Sequence, residues 1–363
     1  MAQENVHSEL VRRPEDVSAD WLTAVLSDSG AAPDDARVTG LTSQPIGTGQ
    51  MSESYRFRIT WDERAPAGPS SVVVKVAASD DTSRATGIGL GIYEREILFY
   101  REVAPHVGGP LADCHLALYD SAEGWFTLVL GDAAPAVQGD QIAGCTVAEA
   151  RLAMRELARL HAPVWSDDQL GAAEWLNQPS MIDQALVSQL LAGFMERYEA
   201  RLAPEHRGVV ERFVARLDPW LADRRPPHSI VHGDYRLDNM LFGEPGSARP
   251  LTVVDWQTVS WGEPLLDASY FLGAGLDVED RRANEEALVR EYHENLVGLG
   301  VEDFSLELCW EEYRRRTFHG VVMAVIAPML VVRTKRGDDM FMTSIARHSQ
   351  QILDLDAEEL LGA

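Results

Sequence analysis

Hydrophobic periodicity changes character once along this chain, and that change constrains the fold more than any other feature. Between residues 38 and 131 apolar residues alternate or run in short β-branched blocks: "VTGLTSQPI", "YRFRITW", "SVVVKVA", then runs over 115–119 and 125–130. Period-two patterns bounded by glycine and proline read as strands. From Thr146 the period becomes helical. "TVAEARLAMRELARLHAPVW" opens with a T-x-x-E capping signature, and helical patterns continue over 181–223 and 281–361. One helix, "YEREILFYREVA" over 93–104, is expected inside the first part, and one strand-bearing interval, 229–275, inside the second. The pattern predicts an α+β fold with a β-rich part over 1–131 and a mostly helical part over 132–363, joined near "LVLGDAAP". At 363 residues the chain is long enough for each part to bury its own core.

Charge narrows the partners. A formal net charge of −25 argues against nucleic acid, whose phosphates need a basic surface, and against anionic membrane. It permits a cationic substrate but is equally a means of staying soluble. Cys114, Cys145 and Cys309 lie far apart and outside any Cys-x-x-Cys or Cys/His spacing, so neither a disulfide framework nor structural zinc is expected. The polar, acidic start lacks the apolar core of a signal peptide, and "GVVMAVIAPMLVV" is too short to span a bilayer. A cytoplasmic, reduced protein is expected.

Among 32 basic residues only Lys75 and Lys335 are lysine. Lys335 lies in the polar "RTKRGDD", whereas Lys75 interrupts the β-branched "SSVVVKVAAS". A chain that otherwise uses arginine has placed a compact point charge inside a strand. An ammonium there requires an anionic partner.

A second anomaly is "SIVHGDYRLDNMLF", where a short apolar run breaks into a turn carrying His232, Asp234, Arg236, Asp238 and Asn239. Turns favour one Asp or Asn for backbone reasons, but not five such side chains in eight residues. Downstream, "LTVVDWQ" ends a buried strand run in Asp255. A hairpin would bring Asp234, Asn239 and Asp255 together, an oxygen-rich set suited to Mg²⁺, which takes one or two protein ligands plus water and phosphate oxygens. A carboxylate not spent on metal can orient a hydroxyl and accept its proton. With Lys75 on phosphates, these are the parts phosphoryl transfer needs. Gly47 and Gly49 in "PIGTGQMSES" could let backbone N–H groups approach phosphates, although a plain hairpin turn explains them as well. Glu96 could reach back to hold Lys75, with Glu94 as its rival. The glycines of "TGIGLGIYERE" follow a polar loop rather than a strand, which argues against a dinucleotide fingerprint.

"HGDYRLDN" resembles the HxDxxxxN catalytic loop of the aminoglycoside phosphotransferase and choline kinase superfamily. "VVDWQTVSWGEPLLDASYFLG" looks especially like its ecdysteroid-kinase-like branch and bacterial relatives, and the similarity runs from about Trp21 nearly to the end. The resemblance implies a bilobal, protein-kinase-like fold and transfer of the γ-phosphate of ATP to a small-molecule hydroxyl. It implies Asp234 as the catalytic Asp, with Arg236 near the transferred phosphate. Asn239 and Asp255 would bind Mg²⁺, and Lys75, paired with Glu96, would hold the α/β-phosphates. His232 would pack under the loop, Asp267 would brace it, and Leu130 to Asp132 would meet adenine through the backbone. Gly131 departs from relatives that often carry an acidic residue there, and "DWQ" replaces DFG. Only eleven residues separate Asp255 from Asp267, too few for a peptide-docking segment, so a small acceptor is favoured. Two other classes are weighed: a nucleotide-binding pseudokinase or scaffold, and a hydrolase built on Asp234 and His232, which lacks a convincing nucleophile.

Overall fold

The alternating segments of the first third form one antiparallel sheet in the computed structural model, which describes residues 9–47, 49, 51–62, 68–179 and 182–361. Strands β1 (Val38–Ile46), β2 (Ser52–Trp61), β3 (Ser71–Ala77), β4 (Cys114–Asp120) and β5 (Trp125–Gly131) lie in the order β1-β2-β3-β5-β4. The chain divides into two units. The first takes the residues up to Pro105, Leu111–Ala134 and, from far along the sequence, Asp255–Gln257; the second takes His106–Pro110, Pro135–Val254 and Thr258–Ala363.

In the first unit, alternation along β3 sorts its side chains. Val72, Val74 and Val76 are buried against Leu22, Val25 and Leu26 of helix α1 (Ala19–Asp28), in a core that also holds Phe57 and Val129. Lys75, one step out of phase, therefore leaves β3 on the opposite face. Two helices follow β3. In α2 (Asp81–Gly89) Asp80 caps the N-terminus by accepting from the Ser83 amide at 2.7 Å, and α3 (Ile92–Leu98) starts after Gly91, at φ +65°. The expected single helix over 93–104 instead changes pitch: α3 passes into a π-type turn over Phe99–Val103 and a short 3₁₀ turn over Ala104–His106. Of the glycines of "TGIGLG", Gly87 serves local packing, since a Cβ there would sit 2.5 Å from the Tyr93 ring.

The second unit is mostly helical. It begins with β6 (Val137–Gln138), α4 (Val147–His161), α5 (Asp168–Gly171), α6 (Gln184–Tyr198), α7 (Pro204–Val214) and α8 (Leu217–Ala222). The capping box at α4 forms in both directions: Glu149 N donates to Thr146 Oγ1 at 3.2 Å, and Thr146 N donates to Glu149 Oε2 at 2.8 Å. Four short strands follow, β7 (Ser229–Val231), β8 (Met240–Phe242), β9 (Leu251–Val253) and β10 (Ser260–Gly262); β8 and β9 make the expected hairpin, and β10 pairs with β7. The chain then runs through α9 (Leu265–Gly275), α10 (Val278–Gly298), α11 (Leu306–Arg316), α12 (His319–Leu330) and α13 (Lys335–Asp354). The apolar run read as too short for a bilayer is α12, a core helix whose Val321, Val322 and Val325 pack with Phe194, Phe213 and Ile345. Among the described residues no helix is long and apolar enough to cross a membrane.

Close helix packing sets one sequence requirement. A Cβ on Gly320 of α12 would lie 2.3 Å from Cγ of the fully buried His348 on α13. Gly320→Ala is accordingly expected to destabilise the protein by about 1–3 kcal/mol, the cost of overpacking a core, read as a lower denaturant midpoint at unchanged slope. An unchanged midpoint would show that His348 can move aside freely.

Candidate active site

Three charged side chains converge in the first unit. Lys75 Nζ donates to Glu96 Oε1 at 2.8 Å and to Asp255 Oδ1 at 2.9 Å. Lys75 and Glu96 are buried, whereas the Asp255 side chain is 42 % exposed. Burial alone would push the Lys75 ammonium down, but the Asp255 and Glu96 carboxylates outweigh it and hold it above the ordinary lysine range. Burial also pushes the Glu96 carboxyl up, against the pull of Lys75. Glu94, the rival partner two residues earlier, is exposed.

The three residues "DWQ" explain why this short piece belongs to the first unit. Asp255 holds Lys75 from a left-handed backbone at φ +69°, a conformation that Asp tolerates better than most side chains. Trp256 stacks on Phe99 with centroids 3.9 Å apart and planes 7° from parallel, and its amide donates to Glu96 Oε1 at 3.3 Å. The Gln257 carbonyl accepts from Arg95, and its side-chain amide donates to Ser52 Oγ at 3.3 Å. Glu96 thereby fixes both the lysine and the backbone that carries the second carboxylate.

The other nucleotide-side candidates lie at two sheet ends. Gly47 follows β1 at φ +74° with open space where a Cβ would stand, while a Cβ on Gly49 would meet the Ser52 carbonyl at 3.3 Å; Thr48 and Gln50 of this turn lie outside the described residues. Leu130 sits in the ladder opposite Val73 and Cys114, and the Gly131 amide is spent on the Asp113 carbonyl at 2.8 Å. The Asp132 carboxylate accepts from Arg56 Nε at 2.7 Å and from Ser71 Oγ at 2.7 Å. These bonds overcome the upward push of burial and hold it below the usual carboxylate range. Its side chain ties the sheet together, which leaves its backbone for any other contact.

In the second unit the polar turn is built from below. His232 is fully buried and takes the Asp234 amide on Nδ1 at 3.2 Å, so its Nε2–H donates to the Val254 carbonyl at 3.1 Å. Gly233, at φ +79°, is a position where a Cβ would lie 2.9 Å from the Thr258 carbonyl. Asp267, fully buried at the start of α9, accepts from the His232 amide at 2.6 Å and the Gly233 amide at 2.9 Å. The hairpin closes the turn, because the Val254 amide donates to the Asn239 carbonyl at 3.0 Å.

This scaffold presents Asp234 inside a ring of donors. Arg236 Nε lies 2.9 Å from Asp234 Oδ1 and 3.0 Å from Oδ2, Asn239 Nδ2 donates to Oδ2 at 2.9 Å, and the Tyr270 hydroxyl donates to Oδ1 at 3.1 Å. Arg236 also donates through Nη1 to Asp238, which in turn takes both terminal nitrogens of Arg336 from the start of α13. Burial works to lower the Arg236 guanidinium, but the charge of Asp234 outweighs it and raises it further; Arg336 and Arg236 hold Asp238 below the usual range despite burial. Asn239 turns only Nδ2 toward these partners. Its Oδ1, the atom a hard cation would use, accepts no hydrogen bond from the described residues.

Thus Lys75, Glu96 and Asp255 meet in the first unit, and Asp234, Arg236 and Asn239 in the second. Sequence reasoning missed Tyr270, Arg336 and Gln141, whose amide donates to Asp238 Oδ1 at 3.0 Å. Each comes from an element 36 to 98 residues distant, with no local motif to mark it. All three cysteines are unpaired, and burial pushes the Cys114 and Cys145 thiols up to about 12, which makes them poor nucleophiles.

The profile of the ecdysteroid kinase-like family matches residues 47–300, well over half of the chain. The chain belongs to that family. Its kinase-like fold is shared with solved structures of low identity. The GDP complex of wild-type aminoglycoside 2'-phosphotransferase-IIIa aligns over 92 % of this chain and 99 % of its own, with a TM-score of 0.53 and 15 % identity. Ethanolamine kinase of Plasmodium vivax aligns over 90 % of this chain and 87 % of its own, with a TM-score of 0.51 and 10 % identity. Among curated proteins, acyl-CoA dehydrogenase family member 11 of Gallus gallus is 43 % identical over 58 residues, 15 % of this ecdysteroid kinase-like chain and 7 % of that protein. The human protein of that name is 29 % identical over 87 residues, 22 % of this chain and 11 % of its own length. The matches therefore span about a tenth of those much longer relatives.

Proposed function

We propose that this chain is an ATP- and Mg²⁺-dependent phosphotransferase that moves the γ-phosphate of ATP onto a hydroxyl group of a small molecule. The observation that carries the reading is the buried Lys75, one of two lysines in an arginine-rich chain, held between two carboxylates of which one is open to solvent. A structural ion pair needs one carboxylate. A cation that must grip phosphate while a neighbouring carboxylate serves a metal needs two. The GDP complex of the phosphotransferase-IIIa neighbour supports a purine nucleotide on this fold, and the ethanolamine kinase neighbour supports a small acceptor.

The donor set fits Mg²⁺. Among the described residues no three His, Cys, Asp or Glu gather into a cage, but Mg²⁺ keeps most of its shell as water and phosphate oxygen. Asn239 Oδ1 and the exposed carboxylate of Asp255 are hard oxygen donors of the kind it takes. Mg²⁺ held by such donors would neutralise phosphate charge as the bond to the γ-phosphorus shifts. Lys75, steered by Glu96, orients the α/β-phosphates, and the backbone at Gly47, Gly49 and 130–132 lines the rest of the nucleotide. Asp234 accepts the hydroxyl proton of the acceptor, and Arg236 stands beside it to balance charge on the phosphate in flight. The eleven residues between Asp255 and Asp267 are consumed by β10, which pairs with β7, and by the entry to α9. No stretch is left to dock a peptide, which supports a small acceptor.

A screen of Mg-ATP consumption over amino alcohols, sugars, sterol-like alcohols and hydroxylated antibiotics, with mass detection of the product, tests the reading. Nucleotide binding with no transfer to any acceptor would favour a pseudokinase or scaffold instead. Asp255→Ala is expected to abolish the thermal stabilisation that Mg-ATP gives wild type, because it removes a metal donor and one of the two anchors of Lys75. Full stabilisation retained in that variant would count against Asp255 as a ligand.

A further inference from the structure

Asp234 is oriented by more than its own loop. We infer that Tyr270 is a positioning residue for Asp234, fixing the roll of its carboxylate from α9; the inference rests on the reading of Asp234 as the acceptor of the hydroxyl proton. Arg236 Nε reaches both oxygens, at 2.9 and 3.0 Å, so on its own it sets the distance of the carboxylate without choosing between its faces. Two single donors make that choice, Tyr270 on Oδ1 at 3.1 Å and Asn239 on Oδ2 at 2.9 Å. Asn239 would also serve a metal, which leaves Tyr270 as the donor with no second duty. Burial, reinforced by the charge of Asp234, raises the phenol well above the usual tyrosine range, so its hydroxyl remains a donor.

The surroundings of Tyr270 are built to hold its ring in place. One face stacks on His348 with centroids 5.3 Å apart and planes 5° from parallel, and the ring meets His319 edge-on at 5.1 Å. His319 is itself anchored, with Nε2 at 2.8 Å from the Gly233 carbonyl in the catalytic turn. His348 is fully buried, and neither ring nitrogen has a hydrogen-bond partner among the described residues. Burial pushes its imidazole down to about 3, against the upward pull of the nearby Gln351 side chain. The chain nevertheless clears space for it twice: a Cβ on Gly320 would lie 2.3 Å from the ring, and one on Gly273 would lie 2.5 Å from Nδ1. The ring's packing contribution is a flat platform under Tyr270, supplied from α13 through gaps in α9 and α12. A position that only filled core would not need a hydroxyl at its tip aimed at a charged oxygen.

Tyr270→Phe removes that hydroxyl and keeps the ring, the stack and the fold. Isotope-edited infrared spectroscopy of protein labelled with ¹³C-aspartate, taken as the difference from Asp234→Asn, isolates the Asp234 carboxylate stretch with neither nucleotide nor acceptor present. The antisymmetric stretch is expected to shift in Tyr270→Phe while the melting temperature holds. Basal Mg-ATP hydrolysis, with water as acceptor, is expected to show kcat lowered roughly tenfold at unchanged KM for ATP, the scale of one hydrogen bond to a charged group. An unmoved stretch overturns the inference, and so does a kcat equal to that of wild type. If wild type transfers phosphate neither to water nor to any acceptor of the screen, the phosphotransfer reading fails while the infrared comparison still decides whether Tyr270 orients Asp234.

Discussion

Asp234→Asn is expected to fold and to bind Mg-ATP as wild type does, yet to transfer phosphate roughly 10²–10⁴-fold more slowly, the range for loss of a positioned proton acceptor. Asparagine keeps the size of the side chain and one oxygen for Tyr270 or Arg236 to use. Arg236 also retains Asp238, 3.0 Å from its Nη1, so the buried guanidinium is not stranded without a counter-ion. The turn itself hangs on other bonds: Asp267 on the His232 and Gly233 amides, and the Val254 amide on Asn239. The substitution therefore removes proton affinity at one point while leaving the scaffold standing. Calorimetry with Mg-ATP and single-turnover transfer to an acceptor found by screening separate the two effects. Wild-type turnover in this variant would sink the assignment, and loss of nucleotide binding would show that the turn had collapsed.

How much of this was legible in the sequence differs residue by residue. Lys75 stood out because composition and pattern disagreed at one position: a lysine-poor chain had placed a lysine in a β-branched strand. The hairpin that joins Asn239 to Val254 was also readable, from two short apolar runs flanking turn residues. The choice between Glu96 and Glu94 was not, because two residues along a helix is a rotation of about 200°, and no pattern in "YEREIL" says which side faces β3. Nor did the sequence mark the change of pitch after Leu98, where the π-type turn begins with the Phe99 that stacks on Trp256. Tyr270 and His348 were the least legible. A tyrosine in "DASYFLG" and a histidine in "IARHSQQ" both fit ordinary helical core, and only the approach of three helices through Gly273 and Gly320 brings them together. Local propensity and pattern identify residues whose partners are near in sequence. Partners supplied by packing have no such signature.

The strongest test of the buried charge cluster is a substitution that preserves charge. Lys75→Arg is expected to fold but to lose phosphoryl transfer by a factor on the order of 10² or more, because a catalytic contact misplaced by about 1 Å costs that much. The side chain is 9 % exposed, with Glu96 Oε2 at 2.7 Å and Asp255 Oδ1 at 2.9 Å from a single point, Nζ. A planar guanidinium spreads its donors over a fork and cannot place one nitrogen between two carboxylates in a space shaped for an ammonium. It would keep one partner and displace the other, and through Glu96 it would also disturb the Trp256 amide that fixes the backbone of Asp255. Glu96→Gln should produce a milder form of the same defect, since it loosens Lys75 without removing it. The double variant should then lose less than the product of the two single losses, because both damage one shared contact. If the losses simply multiply, Lys75 and Glu96 act independently, and the positioning of Lys75 must be sought in Asp255 alone. Were Lys75 merely one more basic residue, arginine, which this chain uses everywhere else but at Lys335, would replace it at no cost.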